Sequence, residues 1–316
     1  MDEVKKSQAS WQVPMSELYQ VLQPEFERLI FQNAQLDLLW TGGRWCEGPA
    51  WLPAGKYALW SDIPNNRTLR WDETDGSVSE FENPARNQNG HTVDRFGRLI
   101  SCEHQGRCVS RIEFDGSRTI LADSYEGKRL NSPNDVVVKS DNSIWFTDPT
   151  YGIDSDYEGD AANSEIGSSN VYKIAANGKL TCEISDLKQP NGLAFSIGEH
   201  ELYVADTGKT HDPNCDANIY GYQIDQKQAV IPSSKRLLTR CDNGLYDGFR
   251  IDTSGNIWTS AGDGVHCVSA AGKLLGKIFV PETVANLCFI GSKKNRLFIC
   301  ATTSVYAIYV NASGAH

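Results

Sequence analysis

Six oxygen-bearing side chains recur at equivalent positions along this sequence. Each lies ten to twelve residues before one copy of a repeated apolar pair such as Leu59-Trp60 or Ile144-Trp145. The six are Glu47, Asn89, Asn134, Asn191, Asp247 and Asn286. A buried polar side chain costs free energy unless it has a partner, so a packed core gives no reason for such a set. A ligand shared by the six side chains would give one.

A bound cation is the ligand that fits these side chains best. Glu47 and Asp247 supply negative charge, while Asn134 and Asn191 supply neutral carbonyl oxygens. A shell made only of oxygens suits Ca²⁺, Mg²⁺ or Mn²⁺ better than a structural zinc ion. We therefore predict one divalent cation, with Ca²⁺ as the first choice and Mg²⁺ or Mn²⁺ as alternatives, held among these six positions.

A plainer interpretation exists for several of these positions. Asn191-Gly192 and Asp247-Gly248 are dipeptides typical of turns, and each could simply end one. Asn89 and Asn286 are the weakest members of the set, because water or backbone groups could satisfy their amides.

The elements that would carry these side chains form an internal repeat. The apolar pair occurs six times, at steps of 40, 45, 58, 55 and 40 residues, and short strand patterns of period two follow each copy. Four strands in each of six units predict an all-β, six-bladed β-propeller, whose first strands line a central channel. The last unit lacks its fourth strand, and residues 35–40 can supply it and so close the ring. A β-sandwich does not explain six repeats in phase, and an α/β fold needs helices between the strands.

Residues 1–34 differ from the repeats. Their apolar residues recur every three or four positions from Trp11 to Leu29, which is helical spacing. We predict a helical extension over 1–34 and a catalytic propeller domain over 35–316.

Two long loops are expected on the face that carries the six positions. They run from Pro149 to Asn170 and from Thr207 to Asn218. Long loops over a pocket commonly decide which substrate enters it. The first loop contains the acidic residues Asp154, Asp156, Glu158 and Asp160. These lack the spacing of an EF-hand, so a solvated acidic loop is the prediction.

Three further residues are candidates for contacts with a substrate. Arg129 precedes a channel strand and could hold a polar or anionic group, although a surface arginine is as good an interpretation. His104 lies where a second strand returns to the site face, and a structural histidine is the alternative. Asp148 occupies the same repeat position as Asp62 and Asp206, so it could equally be a residue of the repeat.

Composition excludes several other classes of function. Lys and Arg number 30 against 40 Asp and Glu, a net charge of −10, which disfavours nucleic acid and anionic membranes as partners. The charged start of the chain is followed by no apolar signal segment, and the 9 cysteines show no zinc-binding spacing. Free thiols in a cytoplasmic protein are the expectation.

Several motifs, in order and in phase with the repeat, resemble the SMP-30/gluconolactonase/LRE family, and most closely its bacterial gluconolactonases. They are Glu47-Gly48-Pro49-Ala50-Trp51, Asn131-Ser132-Pro133-Asn134-Asp135, Trp145-Phe146-Thr147-Asp148-Pro149-Thr150-Tyr151-Gly152, Pro190-Asn191-Gly192-Leu193-Ala194-Phe195, Asp247-Gly248-Phe249-Arg250 and the stretch 260–267. The resemblance runs from about residue 40 to 310. It implies a six-bladed propeller with one catalytic cation, calcium or zinc, on Glu47, Asn134, Asn191 and Asp247. It also implies that an arginine near Asn134 contacts the substrate, which would be Arg129.

The function that this resemblance implies is hydrolysis of a small-molecule sugar lactone, as in a gluconolactonase. The cation would polarise the lactone carbonyl, and Asp247 would activate the attacking water as a general base. Phosphotriester hydrolysis in the same site and a non-catalytic binding platform remain as alternatives.

Overall fold

A computed structural model describes residues 15–215 and 217–315. In chain order its strands are β1 (Tyr19–Val21), β2 (Asp37–Thr41), β3 (Cys46–Leu52), β4 (Tyr57–Asp62), β5 (Arg67–Asp72), β6 (Val78–Glu82), β7 (Gln88–Val93), β8 (Leu99–Glu103), β9 (Cys108–Ile112), β10 (Arg118–Ala122), β11 (Ser124–Tyr125), β12 (Lys128–Arg129), β13 (Val136–Val138), β14 (Ile144–Asp148), β15 (Asn170–Ile174), β16 (Leu180–Ile184), β17 (Pro190–Phe195), β18 (Glu201–Asp206), β19 (Asn218–Gln223), β20 (Arg236–Arg240), β21 (Phe249–Ile251), β22 (Ile257–Ala261), β23 (Gly264–Val268), β24 (Leu274–Phe279), β25 (Val284–Ile290), β26 (Arg296–Ala301) and β27 (Ser304–Tyr309). The helices are α1 (Met15–Leu18), α2 (Pro24–Glu27) and α3 (Tyr151–Asp154), and there are 3₁₀ turns at Ile63–Asn65, Gly208–Thr210 and Pro232–Ser234.

The strands form the predicted six-bladed propeller. Blades 1 to 5 are the antiparallel sheets β3–β6, β7–β10, β13–β16, β17–β20 and β21–β24, and blade 6 combines β25, β26 and β27 with β2. The inner strands β3, β7, β13, β17, β21 and β25 contact one another in sequence, and β25 contacts β3, so the ring is closed. Every apolar pair identified in the sequence lies in the second strand of a blade.

The hydrophobic core lies between neighbouring blades. Trp60, Trp145 and Trp258, each from a repeat pair, are fully buried in three different interblade clusters. The contact between blades 1 and 2 includes buried hydrogen bonds, in which His91 bridges Ser61 and Ser101 at 2.9 and 2.8 Å. Large side chains alternating along the strands therefore pack the blades against each other and fix the ring.

The N-terminal strand closes the last blade, as the sequence predicts. Strand β2 pairs antiparallel with β27, with Asp37 opposite Ala307 and Thr41 opposite Ser304. The Trp40 ring packs edge-on against Trp60 of blade 1, with ring centroids 5.5 Å apart. This pairing covers an edge of blade 6 that would otherwise be exposed.

The segment before β2 differs from the predicted helical extension. Helices α1 and α2 are single turns, and between them β1 adds a fifth strand to blade 5, with Tyr19 opposite Ile278 of β24. Phe26 is fully buried over Gly276 of β24. The helical spacing of the apolar residues was misleading, because burial against an existing sheet edge decided the local structure. The first residues of this pattern, including Trp11, lie outside the described residues.

The structure also bears on membrane-spanning helices and on the state of the cysteines. Within residues 15–215 and 217–315, no helix has the length and apolar character needed to cross a membrane. All nine cysteines are free, and Cys46, Cys102, Cys108, Cys267, Cys288 and Cys300 are buried. Burial is the main reason why the pKa of the Cys46 and Cys102 thiols is raised, which makes these thiols poor nucleophiles.

Candidate functional site

The six positions of the sequence pattern meet around one end of the central channel. Asn286 of blade 6 donates from Nδ2 to Glu47 Oε2 of blade 1 at 3.0 Å. The Asn134 carbonyl accepts a 2.7 Å hydrogen bond from Gly90 N of blade 2, which follows Asn89. The Asp247 carbonyl accepts a 3.1 Å hydrogen bond from Gly192 N, which follows Asn191. These contacts join neighbouring blades at corresponding points, so the positions share one level of the ring.

Glycines make this close approach of the inner strands possible. A Cβ added to Gly48 would lie within 3.0 Å of the Asn89 backbone, and one added to Gly192 would clash in the same way with Asp247 O. A Cβ added to Gly248 would lie equally close to the side chain of Asn286. Gly192 lies inside β17, and Gly248 immediately precedes β21. The Asn-Gly and Asp-Gly pairs are therefore points of contact between blades, and the turn interpretation is not the one that the structure supports.

Of the two carboxylates of the ring, Glu47 is buried and Asp247 is half-buried, and no cationic side chain is among the groups that shift the pKa of either. Burial raises the pKa of Glu47 to about 8, although Gly48 N donates to its Oε2 at 2.6 Å and opposes the rise. The pKa of Asp247 is raised well above its ordinary value by burial and by the charges of Glu47, Asp135 and Glu158. Within the described part of the chain no hydrogen-bond donor reaches the Asp247 carboxylate. A cation at this point would relieve the repulsion, and two carboxylates with amide oxygens are a suitable donor set.

Asp135 is a further buried carboxylate beside the six ring positions, and the repeated sequence pattern does not include it. Its Oδ1 accepts from Val136 N at 2.8 Å, and its Oδ2 lies 3.5 Å from Arg250 Nη1 without a hydrogen bond. Burial raises its pKa, and Arg250 opposes that rise. A signal was present, since Asp135 stands where four of the other inner strands have glycine after the ring position.

His104, predicted as a substrate contact, holds a loop against the ring. Its Nε2 lies 3.2 Å from Asn89 Nδ2, and its Nδ1 lies 3.2 Å from the Glu158 carbonyl. Burial lowers the pKa of His104 to about 4, so its imidazole is neutral at pH 7. With Asn89 donating to Nε2, Nδ1–H donates to Glu158. Both imidazole nitrogens have hydrogen-bond partners within the protein, which supports the interpretation of His104 as a structural histidine.

Asp148 makes the contacts of a repeat residue. It ends β14 fully buried, and its Oδ2 accepts from Asn131 N, three residues before Asn134, at 2.9 Å. Asp62 accepts from Arg44 N and Asp206 from Lys188 N, each three residues before the ring position of its own blade. Burial raises the pKa of Asp148 to about 7. Its role in substrate binding stays a prediction, and the structure favours the alternative that Asp148 is a structural residue of the repeat.

Arg129 lies at the surface on β12 of a two-stranded hairpin. Its backbone N–H donates to Glu165 Oε2 at 2.9 Å, and its Nη2 donates to Gly106 O at 3.3 Å. Its hydrogen bonds in the described structure do not reach the six ring positions. Its predicted contact with substrate therefore stays a prediction.

Both long loops meet over the ring, as predicted. Tyr151 of the first loop shares a 2.6 Å hydrogen bond with Thr207 Oγ1 of the second, and the same Oγ1 accepts from Asn191 Nδ2 at 3.3 Å. Asp154, Asp156 and Asp160 are exposed, in agreement with a solvated acidic loop. For Glu158 that prediction is wrong, because its side chain is only 22% exposed and is close enough to Glu47 and Asp247 to raise the pKa of both.

A cavity opens at the other end of the channel. It has a volume of about 280 Å³ and lies between the C-terminal parts of the inner strands, with Trp51, His91, Phe195 and Arg250 in its wall. None of the six ring positions lines it. The channel therefore has two chemically different ends, one acidic and one largely apolar.

Comparison with known proteins agrees with the fold and the motifs. The family profile described as the SMP-30/gluconolactonase/LRE-like region matches residues 45–303. This chain belongs to that family. It is 29% identical to a gluconolactonase of Zymomonas mobilis over 92% of this chain and 85% of that protein. It is 34% identical to a solved gluconolactonase of Xanthomonas campestris, with a TM-score of 0.86 over 93% of this chain and 94% of that one. A calcium-binding regucalcin of Agrobacterium tumefaciens shares the fold, with a TM-score of 0.71 at 19% identity over 87% of this chain and 94% of that one.

Proposed function

We propose that this protein hydrolyses sugar lactones with a divalent cation held by Glu47, Asn134, Asn191 and Asp247. The observation that carries the proposal is the pair of uncompensated carboxylates, the buried Glu47 and the half-buried Asp247, among amide oxygens at one level of the channel. Relatives named gluconolactonase, similar over most of this chain, support the choice of lactones as substrate. The calcium-binding regucalcin makes Ca²⁺ the first ion to test.

When bound, the cation supplies a Lewis acid that polarises the lactone carbonyl and stabilises the developing oxyanion. Asp247 accepts the proton of the attacking water, because its carboxylate is free of hydrogen bonds from the described residues. Asn286 fixes Glu47 through its 3.0 Å hydrogen bond, and Thr207 fixes Asn191. The loops joined by Tyr151 and Thr207 limit the access of water to this end of the channel.

The decisive experiment measures hydrolysis of a panel of lactones after chelation, with Ca²⁺, Zn²⁺, Mg²⁺ and Mn²⁺ restored one at a time. We expect activity on gluconolactone to vanish on chelation and to return with one or more ions. A phosphotriester assayed in parallel tests the alternative reaction, and greater activity on it would overturn the choice of substrate. Binding of an ion that raises thermal stability without hydrolysis of either compound would favour a platform over an enzyme.

A further inference from the structure

The loop from 149 to 170 is held in a defined position over the site. Ser132 Oγ donates to Pro149 O at 2.7 Å and accepts from Gly152 N at 2.9 Å. Ala162 N donates to Ile153 O at 2.9 Å, and Gly159 packs so closely on Gly152 that an added Cβ would clash with it. Since these contacts lie on both sides of Glu158, the loop fixes where the Glu158 carboxylate points.

That carboxylate faces the acidic ring without a partner. His104 Nδ1 is 3.9 Å from Glu158 Oε2, and this histidine is neutral because burial lowers its pKa. Among the described residues none donates a hydrogen bond to the carboxylate, although the backbone carbonyl of Glu158 accepts from His104. The side chain is 22% exposed. A half-buried carboxylate in this position needs hydrogen-bond donors, which residues 15–215 and 217–315 do not provide.

We propose that the Glu158 carboxylate accepts hydrogen bonds from the hydroxyl groups of the substrate and thereby selects polyhydroxylated lactones. This inference rests on the proposed function. Burial raises the pKa of Glu158 to about 7, so the group carries its charge above that pH. Hydroxyl groups are neutral donors that suit a carboxylate placed near other negative charges, and a hydrogen bond to the charged form is stronger than one between neutral groups. A lactone without hydroxyl groups gains no hydrogen bond from Glu158.

The test compares gluconolactone with δ-valerolactone, which has the same ring without hydroxyl groups. Glu158→Gln keeps the shape of the side chain, and Glu158→Ala removes the acceptor. We expect kcat/KM for gluconolactone to fall at least about 10-fold in Glu158→Ala and less in Glu158→Gln. We expect kcat/KM for δ-valerolactone to stay within about 2-fold of the wild-type value.

Asp160→Asn is the matched control, since it removes the same charge from the same loop at an exposed position. It should leave the values for both lactones unchanged. Equal losses on both lactones in the Glu158 variants would overturn the proposal, as would equal effects of Asp160→Asn and Glu158→Gln.

A calcium titration by calorimetry separates substrate recognition from a role in holding the ion. Unchanged calcium affinity in Glu158→Gln is the expected result, and a loss of 10-fold or more would overturn the proposal by making Glu158 a ligand. If the wild type hydrolyses lactones and the Glu158 variants do not discriminate between them, only this inference fails. If the wild type hydrolyses no lactone under any ion, the proposed function fails and this inference with it.

Discussion

Asp252, which is buried, and Asp247, which is half-buried, have opposite surroundings in the same blade. Asp252 is surrounded by donors, with Asn256 N at 2.9 Å from its Oδ1 and Trp258 Nε1 at 3.0 Å from its Oδ2. The charges that act on Asp247 are those of Glu47, Asp135 and Glu158, and each raises its pKa beyond the effect of burial. The first carboxylate stabilises its blade, whereas the second is expected to destabilise the cation-free fold and is the proposed general base.

Asp247→Asn should therefore lose activity without losing stability. We expect turnover to fall at least about 100-fold, as when one key electrostatic group of an active site is removed. In the presence of a chelator its melting temperature should equal or exceed that of the wild type, because a carboxyl group repelled by Glu47, Asp135 and Glu158 has been removed. Thermal unfolding and lactone assays on the same preparations measure both effects.

Asp252→Asn is the control for this prediction. This variant should unfold at a lower temperature than the wild type, because both carboxylate oxygens of Asp252 accept hydrogen bonds from their own blade. Turnover of Asp247→Asn at the wild-type rate would show that the general base has been misassigned.

His91 makes the contact between blades 1 and 2 sensitive to pH. Ser61 Oγ donates to Asn89 O at 2.8 Å, so His91 Nε2–H donates to Ser61 and Ser101 donates to His91 Nδ1. Burial lowers the pKa of His91 to about 4, so the folded state favours the neutral ring while the unfolded chain takes up a proton near pH 6.5. The stabilisation is complete above pH 6.5 and is lost as the pH falls toward 4.

Denaturant unfolding with chelator at pH 7 and at pH 4 tests this assignment. The difference in unfolding free energy between the wild type and His91→Gln should shrink by up to about 3 kcal/mol at the lower pH. A difference that is the same at both values would contradict the assignment.

At the scale of the element, the inner strands depend on glycines that let neighbouring blades touch. Gly192 of β17 donates to Asp247 O and leaves no room for a side chain there. The same backbone contact positions Asn191 and Asp247 relative to each other. A methyl group at residue 192 would therefore disturb both the interblade packing and the proposed cation site.

Gly192→Ala should lower the unfolding free energy by about 2 kcal/mol or more, within the range for overpacked interiors, and should weaken calcium binding. The control is Gly221→Ala in the same blade, where the added Cβ meets only side-chain atoms at 3.3–3.4 Å. We expect that variant to change stability by less than about 1 kcal/mol and to leave calcium affinity unchanged. Equal effects of the two variants, measured by denaturant unfolding and calorimetry, would argue against the contact at residue 192.

At the scale of the whole molecule, the described N-terminal segment packs as part of the propeller. Phe26 is fully buried, with its ring 6.2 Å from that of Trp258, and Ile30 forms a bridge to Val310. Leu18, Tyr19, Phe26 and Ile30 belong to the same cluster as the residues between blades 5 and 6. We therefore expect this segment to unfold together with the ring.

Phe26→Ala should destabilise the entire propeller by about 3–5 kcal/mol, the usual cost of truncating a buried phenylalanine. Leu22→Ala, at a position that is 41% exposed, should change stability by no more than about 0.5 kcal/mol. Circular dichroism of the strands and tryptophan fluorescence should report one shared transition in both variants. A separate early transition in Phe26→Ala, with the main one unchanged, would define the N-terminal segment as an independent unit.

The strand repeat can be read from the sequence alone, although the helical period before β2 was misleading. Strand alternation and the repeated pairs that include Trp60 and Trp145 predict the number of blades, the closing strand β2 and the level of the six ring positions. Each of these follows from side chains a few residues apart, because the geometry of one strand decides which face they occupy.

Features that depend on contacts between residues distant in the chain could be seen only in the three-dimensional structure. Whether residues 19–21 form a helix or a strand was settled by the open edge of β24. The separation of Glu158 from its exposed acidic neighbours was settled by contacts of its loop with Ser132 and His104. Burial and charge compensation are sums over surrounding atoms from several blades, so no local pattern in the sequence can specify them.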